Sequence, residues 1–398
     1  MKPLLSLAVI VSYLLAGTQR GLSQVWIQTS APETNWVGIV SSVDGTKLAA
    51  IVEDGPIYTS SDSGATWGVS DAPVESWTSI ASSADGSRLA AAVWSGPIYL
   101  STNYGSSWQS GAPDGEWESI ACSSDGSVLV AASLSYEWGE LTTGPLCIST
   151  NAGTSWTVAD LPDQLWNSVS CSCDGTKIVA AAPQFMFTST NFGLTWAKGT
   201  MPDEAWTHVA SSSDGNKLLA VSMGHDGYEQ TVNIFTGGIY SSTNSGATWM
   251  ETSLPEGIWQ SVACSTNGNV LVAAGEDFSP ASFLWITTDS GATWASNKQP
   301  DAGVTLASSG DGSQLMAAFD YGGIFVWRWR PTLTIISSNQ QVVISWPASG
   351  IETVLQHSPD LNTPQWSDVS IAPTVSNGTN QVVMPLCFGG NFYRLKVP

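Results

Sequence analysis

The feature that most constrains the fold of this chain is an internal repeat of about 40 to 50 residues, a period typical of repeat architectures. Each unit contains an Asp-Gly or Asn-Gly turn that is preceded by a short segment, which opens with Trp in six of the seven units. A segment of small residues follows the turn, as in Leu89-Ala-Ala-Ala-Val, and a third segment leads to a second turn motif. The first turns are centred on Asp44, Asp85, Asp125, Asp174, Asp214, Asn267 and Asp311.

The segments of each unit are typical of β-strands. They are rich in β-branched and aromatic residues, alternate between apolar and polar positions, and lack the helical period. Four short strands in a unit of this length match one blade of a β-propeller. The sequence therefore predicts an all-β fold, a seven-bladed β-propeller with a small C-terminal β-sandwich-like module, although six or eight blades remain open.

The start of the repeat region predicts how the ring closes. Trp26-Ile-Gln-Thr-Ser-Ala-Pro resembles Trp67-Gly-Val-Ser-Asp-Ala-Pro, the outer end of a unit, whereas the seventh unit stops near Trp327 without such a segment. We expect residues 25–30 to pair with the strand at 324–327. This pairing would complete the last blade and leave no exposed strand edge there.

A second motif, Ser-x-Asp-x-Gly-x-Thr-Trp and close variants of it, ends six of the seven units. Asp and Asn side chains bond backbone N–H groups in turns, Gly permits a positive φ, and Trp covers a hairpin with a large apolar face. The motif therefore predicts a structural hairpin rather than a catalytic group. Its residues are Asp62, Gly64, Trp67, Asn103, Gly105, Trp108, Asn151, Gly153, Trp156, Asn191, Gly193, Trp196, Asn244, Gly246, Trp249, Asp289, Gly291 and Trp294.

This motif resembles the Asp-box of bacterial neuraminidase (BNR, sialidase-like) repeats, over Trp26 to about Trp327. Asp-boxes also occur in xyloglucanases, sortilin-type receptors and the photosystem II assembly factor family, so the resemblance implies the propeller and no single function. A sialidase clamps its substrate carboxylate with three arginines. Of the five arginines here, only Arg88 lies within a predicted blade, so the chain is not expected to be a true sialidase. We predict no catalytic residues.

Three units are longer, and their extra residues fall between the second and third strands, at 134–144, 224–237 and 275–283. In an antiparallel blade this connection lies opposite both turn motifs, so the insertions are expected to share one rim. Aromatic rings bind sugars or peptides, and carboxylates bind hydroxyls or Ca²⁺. Ordinary variation of exposed loops is the alternative. The candidate ligand-binding residues are Tyr136, Glu137, Trp138, Asp226, Tyr228 and Asp277.

The two ends of the chain differ from the repeat. Lys2 and the apolar run 4–16 indicate a signal peptide over 1–23, which implies a secreted, cell-surface or periplasmic protein. The propeller is then predicted over 24–330 and the C-terminal module over 331–398. Ser345-Trp-Pro and Phe392-Tyr-Arg-Leu in that module are similar to small fibronectin-like modules at the ends of secreted bacterial proteins.

The net charge of −21 argues against nucleic acid and anionic membranes as partners. The function expected is that of a non-catalytic propeller that binds an extracellular glycan or protein on the face opposite the Asp-boxes. No cofactor is expected other than Ca²⁺. A glycoside hydrolase or lyase with an acidic site is one alternative, and an assembly scaffold like the photosystem II assembly factor family is another.

Overall fold

The computed structural model describes residues 26–111, 114–137, 140–200, 204–223, 237–254, 257–276, 282–299, 303–328, 333–338, 341–347, 353–359, 365–376, 379–385 and 392–396. Every regular element among them is a β-strand, and every strand pairing is antiparallel. No helix in these ranges is long and apolar enough to cross a membrane.

Seven four-stranded sheets, the blades, carry the repeat, and their strands follow in chain order from the inner to the outer edge. Blade one is β2 (Trp36–Ser41), β3 (Leu48–Val52), β4 (Ile57–Ser60) and β5 (Gly68–Val69); blade two is β6 (Trp77–Ser82), β7 (Leu89–Val93), β8 (Ile98–Ser101) and β9 (Gln109–Ser110); blade three is β10 (Glu116–Cys122), β11 (Leu129–Glu137), β12 (Glu140–Ser149) and β13 (Thr157–Val158); blade four is β14 (Ser168–Cys171), β15 (Ile178–Ala182), β16 (Phe185–Ser189) and β17 (Ala197–Lys198). Blade five is β18 (Trp206–Ser211), β19 (Leu218–Ser222), β20 (Ile239–Ser242) and β21 (Met250–Glu251); blade six is β22 (Ile258–Cys264), β23 (Leu271–Glu276), β24 (Ser282–Thr287) and β25 (Ala295–Gln299); blade seven is β26 (Val304–Ser308), β27 (Gln314–Phe319), β28 (Ile324–Arg328) and, outermost, β1 (Ile27–Gln28).

Backbone hydrogen bonds join the seven blades into a closed ring around one axis. One residue before each Asp-Gly or Asn-Gly turn, an N–H donates to the carbonyl of the equivalent residue in the next blade, at 2.7 or 2.8 Å. The donors and acceptors follow one another as Val43, Ala84, Ser124, Cys173, Ser213, Thr266 and Gly310, and Gly310 donates back to Val43. This cycle fixes the blade count at seven.

The predicted closure of the ring is confirmed. In β1, Ile27 pairs with Val326 and Gln28 with Phe325 of β28, so the start of the repeat region forms the outer strand of the last blade. The N–H of Thr29 extends the ladder to the carbonyl of Ile324 at 2.8 Å. The ring is thus closed by pairing two ends of the repeat region that lie almost 300 residues apart in sequence, a long-range contact that costs considerable loop entropy to form.

The second strand of each blade explains why small residues recur there. All five residues of β3, β7, β15 and β19 are buried, because each strand packs against blades on both sides. The core accordingly lies between neighbouring blades: Leu48 and Ala50 of blade one pack with Ala318 and Val326 of blade seven. The side chains between neighbouring blades include many Ala residues because the space between two sheets is narrow near the axis.

Each Asp-Gly turn is held by the same side-chain bonds. In blade three the Ser123 hydroxyl donates to Asp125 Oδ1 at 2.6 Å and accepts the N–H of Val128 at 2.9 Å. The N–H of Ser127 also donates to Asp125 Oδ1 at 2.9 Å, and these bonds lower the pKa of Asp125 to about 2. The following glycine has a positive φ and faces the side chain of the preceding blade, as Gly175 does at φ 71° beside Val128.

The second motif forms the hairpin between the third and fourth strands, which we call the box turn. In blade one the Ser60 hydroxyl donates to Asp62 Oδ1 at 2.8 Å and accepts the N–H of Gly64 at 2.9 Å. The side chain and N–H of Thr66 also donate to the Asp62 carboxylate, which lowers its pKa to about 2. The equivalent bonds hold all six box turns, with an Asn side chain accepting in four of them.

The five described cysteines carry no disulfide. Burial raises the pKa of Cys171 and of Cys264 to about 12, so these thiols are unreactive at neutral pH. They occupy a position at which other blades have Ser, as Ser211 in blade five.

Beyond the propeller, two small sheets form around a second core of Ile344, Trp346, Leu355 and Val382. The first sheet has the order β29 (Thr334–Ser338), β30 (Gln341–Pro347), β34 (Thr379–Pro385), β33 (Thr374–Ser376). The second has the order β32 (Ser367–Asp368), β31 (Val354–Ser358), β35 (Phe392–Lys396).

Candidate functional site

The propeller has two faces that differ in their loops. On one side, which we call the turn face, each box turn contacts the Asp-Gly turn of its own blade, as where the N–H of Ser63 donates to the carbonyl of Thr46 at 3.0 Å. The opposite side, which we call the mouth face, carries the connections between second and third strands. The predicted insertions fall in these connections, and the described strand ends that flank them lie on the mouth face.

A cavity of about 790 Å³ follows the axis of the ring. Its wall is formed by the inner strands of all seven blades, and it runs from mouth-face residues such as Glu53 and Tyr321 to Ser41 and Ser308, two residues before the bonded ring. This volume lies within the range of about 300–1,000 Å³ that is common for ligand pockets. The wall is polar for most of its length because Ser, Thr, Asn, Gln and His side chains of the inner strands face it.

Part of this polar wall joins one blade to the next. The second residue after the opening Trp accepts an N–H from the neighbouring inner strand, as Ser79 Oγ accepts from Ile120 at 3.1 Å and Ser261 Oγ accepts from Leu306 at 3.2 Å. In blade five His208 takes this role, because its Nδ1 accepts the N–H of Val262 at 3.3 Å. Burial lowers the pKa of His208 to about 4, which keeps the ring neutral at physiological pH.

In blades two, four and five, the residue directly after the opening Trp makes a second type of bond between blades. Thr78 Oγ1 donates to the carbonyl of Trp117 at 2.7 Å, and Asn167 Nδ2 donates to that of Trp206 at 2.6 Å. Thr207 repeats the bond with Trp259 at 3.1 Å. In blade three the same position is Glu118, whose ionised carboxylate has no hydrogen to donate. Burial raises the pKa of Glu118.

Tyr321 is the aromatic residue that most clearly marks the edge of the cavity. It lies in the mouth-face turn of blade seven, lines the cavity entrance, and is 79% exposed. Its φ is 52°, in the left-handed region that is unfavourable for bulky residues. A similar φ recurs at Asp54 and Gln184 in the corresponding turns of blades one and four, so the conformation belongs to the turn, and the exposed ring is what distinguishes Tyr321. The neighbouring Asp320 also lines the entrance, and burial raises its pKa.

Two of the six sequence-predicted site residues lie within the described part of the chain. Tyr136 and Glu137 belong to β11, where they pair with Leu141 and Glu140 of β12, so the insertion of blade three extends a regular hairpin. Trp138, Asp226, Tyr228 and Asp277 lie outside the described residues. Among the residues that the structure describes, no group of three or more His, Cys, Asp or Glu side chains is arranged to hold a metal ion.

Sequence reasoning missed Glu118, Asp320 and Tyr321. The repeat alignment contained the signal for Glu118, because a carboxylate stands where the other blades have Thr, Asn, Gln or Val. Tyr321 occupies a two-residue turn in a blade without an insertion, so the length of the connection does not single it out. The cavity offers acceptors, donors and carboxylates at a polar wall, with an aromatic ring at its entrance.

Comparison with known proteins supports the fold and leaves the function open. No family model matches the chain, and no curated protein matches its sequence. Among solved structures, the GH74 xyloglucanase from Xanthomonas campestris is 15% identical with a TM-score of 0.58, over 82% of this chain and 60% of that chain. YCF48 bound to D1 peptide is 15% identical with a TM-score of 0.57, over 78% of this chain and 98% of that chain. Kuenenia stuttgartiensis hydrazine synthase is 14% identical with a TM-score of 0.60, over 79% of this chain and 99% of that chain.

These similarities establish the β-propeller fold. The chain spans about three fifths of the xyloglucanase, whereas it spans nearly all of the other two chains. At 15% identity or less, none of the three transfers an activity to this protein.

Proposed function

We propose that this protein is a secreted, non-catalytic propeller that binds a protein or glycan ligand at its mouth face. One observation carries the proposal: the turn face repeats the same contacts from blade to blade, whereas the mouth face combines the exposed ring of Tyr321, an extended hairpin at β11 and β12, and the entrance of a polar cavity. Functional residues commonly lie on variable connections held by a rigid scaffold.

The comparisons are compatible with a peptide or protein ligand. One similar propeller, matched over nearly its whole length, was solved with a bound peptide. The Asp-box assignment of the box turns belongs to this proposal as well, since it places the recurring hairpins in the scaffold and leaves the mouth face for recognition.

The sequence adds further contacts to the proposed site. Trp138 and Tyr228 would contact the ligand, and Glu137, Asp226 or Asp277 would supply polar contacts or a Ca²⁺ site. Tyr136 is a further candidate for contact with the ligand. A signal peptide over 1–23 would deliver the propeller of 24–330 and the module of 331–398 out of the cytoplasm.

The test is a binding screen of the purified protein on a glycan array and a peptide array, with product release measured in parallel. Tyr321→Gly is compared with Gln184→Gly, which removes a non-aromatic exposed residue at φ 68° from the corresponding turn of blade four. Binding that is lost in the first variant and kept in the second supports the proposal. Absence of any ligand on both arrays, or equal binding by both variants, contradicts it.

A second candidate is a glycoside hydrolase, and the carboxyl groups of the cavity favour it. Glycosidases use two carboxyl groups, one of which is held protonated by a raised pKa. Burial raises the pKa of both Glu118 and Asp320 at the cavity wall. Release of reducing sugar from an array glycan by the parent, and its loss in Glu118→Gln, would establish hydrolysis; binding without release rejects it.

A further inference from the structure

The wall of the axial cavity carries formal charge of only one sign. Among its described residues are the carboxylates of Glu53, Glu118 and Asp320, and neither Lys nor Arg is present. The remaining titratable nitrogen there is His208, which accepts a backbone N–H and is neutral. A low-dielectric cleft lined by one sign of charge concentrates ligands of the opposite sign.

Glu118 is the carboxylate that distinguishes the cavity from the scaffold. The side chains at the same position in blades two, four and five donate a hydrogen bond to the next blade, whereas no hydrogen bond joins the Glu118 side chain to any other described residue. Glu118 is half-buried at the cavity wall, so its charge is less well hydrated than that of a fully exposed carboxylate. A cation bound beside it would compensate for this loss of hydration.

The entrance is suited to guide such a cation inward. Glu53 and Asp320 lie on the mouth-face connections of blades one and seven, which are neighbours in the closed ring, and both line the same cavity as Glu118. Tyr321 follows Asp320 and exposes its ring at the entrance, where a cation can lie over an aromatic face. The cavity therefore presents acidic groups at its edge and one unpaired acidic group within its wall.

We propose that the axial cavity receives a positively charged side chain of a protein ligand, the ammonium of Lys or the guanidinium of Arg, and that Glu118 pairs with it. This inference rests on the proposed function and names the part of the ligand that enters the mouth face. A long aliphatic stem with a charged end suits a deep polar cavity, because the stem can pass the entrance while the charge reaches the wall.

The test uses a fluorescein-labelled peptide with three lysines separated by Gly-Ser, and a matched peptide with three glutamates. Anisotropy is measured with the full-length protein, with Glu118→Gln, and with Asp163→Asn. Asp163 is exposed and outside the cavity wall, so its substitution changes the net charge equally. We expect the lysine peptide alone to bind and Glu118→Gln to weaken it at least about tenfold, the scale of one hydrogen bond to a charged group.

Three results would overturn the inference. The first is that the lysine peptide does not bind, and the second is that the two peptides bind equally well. The third is that Glu118→Gln and Asp163→Asn weaken binding equally, since that result would indicate general attraction to an acidic protein. If the arrays yield a neutral glycan or an acidic peptide whose binding depends on Tyr321, the mouth-face function stands and the cationic specificity is wrong. If no ligand depends on Tyr321, the proposed function itself fails. Thermal unfolding of each variant confirms that the fold is retained.

Discussion

The turn face and the mouth face are built from the same seven repeats, yet they differ in what is repeated. Three features recur around the whole ring on the turn face. They are the side-chain bond from Ser to Asp or Asn, the glycine with positive φ, and the hydrogen bond to the next blade. On the mouth face the connections differ in length and chemistry, from the two-residue turn at Tyr321 to the long hairpin of β11 and β12. Repetition therefore marks the contacts that hold the fold, and variation marks the surface available for recognition.

The largest loss of stability is expected when a glycine of the turn face is substituted. In Gly175→Val the new Cβ would lie 2.6 Å from Val128 at a φ of 71°. We expect a loss of about 3–4 kcal/mol in the free energy of unfolding, because left-handed strain and overpacking add. Gly68→Val is the control, since nothing lies within 4 Å of its Cβ and its φ is not positive. Chemical denaturation checks both, and equal stabilities would contradict the comparison.

A smaller loss in the free energy of unfolding is expected when one side-chain bond of the Asp-Gly turn is removed. The Ser123 hydroxyl is buried and joins Asp125 to the N–H of Val128, so Ser123→Ala leaves the buried N–H of Val128 without its acceptor and removes one bond to the exposed Asp125 carboxylate. We expect a cost of about 1–3 kcal/mol. Ser95→Ala, at an exposed mouth-face turn, should change stability by less than about 0.5 kcal/mol. A mouth-face cost as large as the turn-face cost would show that both faces are structural.

Glu118→Gln should stabilise the protein, and this effect should depend on pH. The folded-state pKa of Glu118 is raised by burial, so ionisation costs stability as pH rises through that pKa. Gln can also donate to the carbonyl of Trp166, as Asn167 does to Trp206. We expect a gain of about 1 kcal/mol at pH 7. The pH-dependent part of the gain should vanish below the ordinary pKa of glutamate, and thermal unfolding at several pH values measures it. A gain that is the same at all pH values would contradict the ionisation argument.

The smallest expected change in stability comes from Tyr321→Gly. Glycine tolerates the φ of 52° but has more freedom in the unfolded chain, so the two effects nearly cancel, and we expect a change within about 0.5 kcal/mol. Gln184→Gly should behave alike, because its φ is 68°. Thermal unfolding compares the two. A marked loss of stability in Tyr321→Gly alone would assign its ring to packing instead of recognition.

The repeat predicted most of the fold because each structural contact requires the same type of residue at the same position of every unit. The seven Asp/Asn-Gly turns gave the blade count, and the match between Trp26 and Trp67 gave the closure through β1. The cavity could not be predicted in the same way. Glu118 is one of 33 acidic residues in the sequence, and only the curvature of the closed ring places it at a common wall with Glu53 and Asp320. Similarly, the position of Tyr321 at the cavity entrance depends on the closed ring, and the residue type alone does not reveal it.

One titration tests the central claim that recognition belongs to the mouth face. The strongest ligand from the arrays is titrated against the parent, Tyr321→Gly and Asp85→Asn, in which the exposed turn-face carboxylate is replaced by an amide that can still accept the N–H of Ser87. Loss of an aromatic at a binding hot spot costs about 2 kcal/mol, or roughly thirtyfold in Kd. We predict that Tyr321→Gly weakens binding by about this factor and that Asp85→Asn leaves it unchanged. Weakened binding in Asp85→Asn, with Tyr321→Gly equal to the parent, would place the site on the turn face and contradict the account.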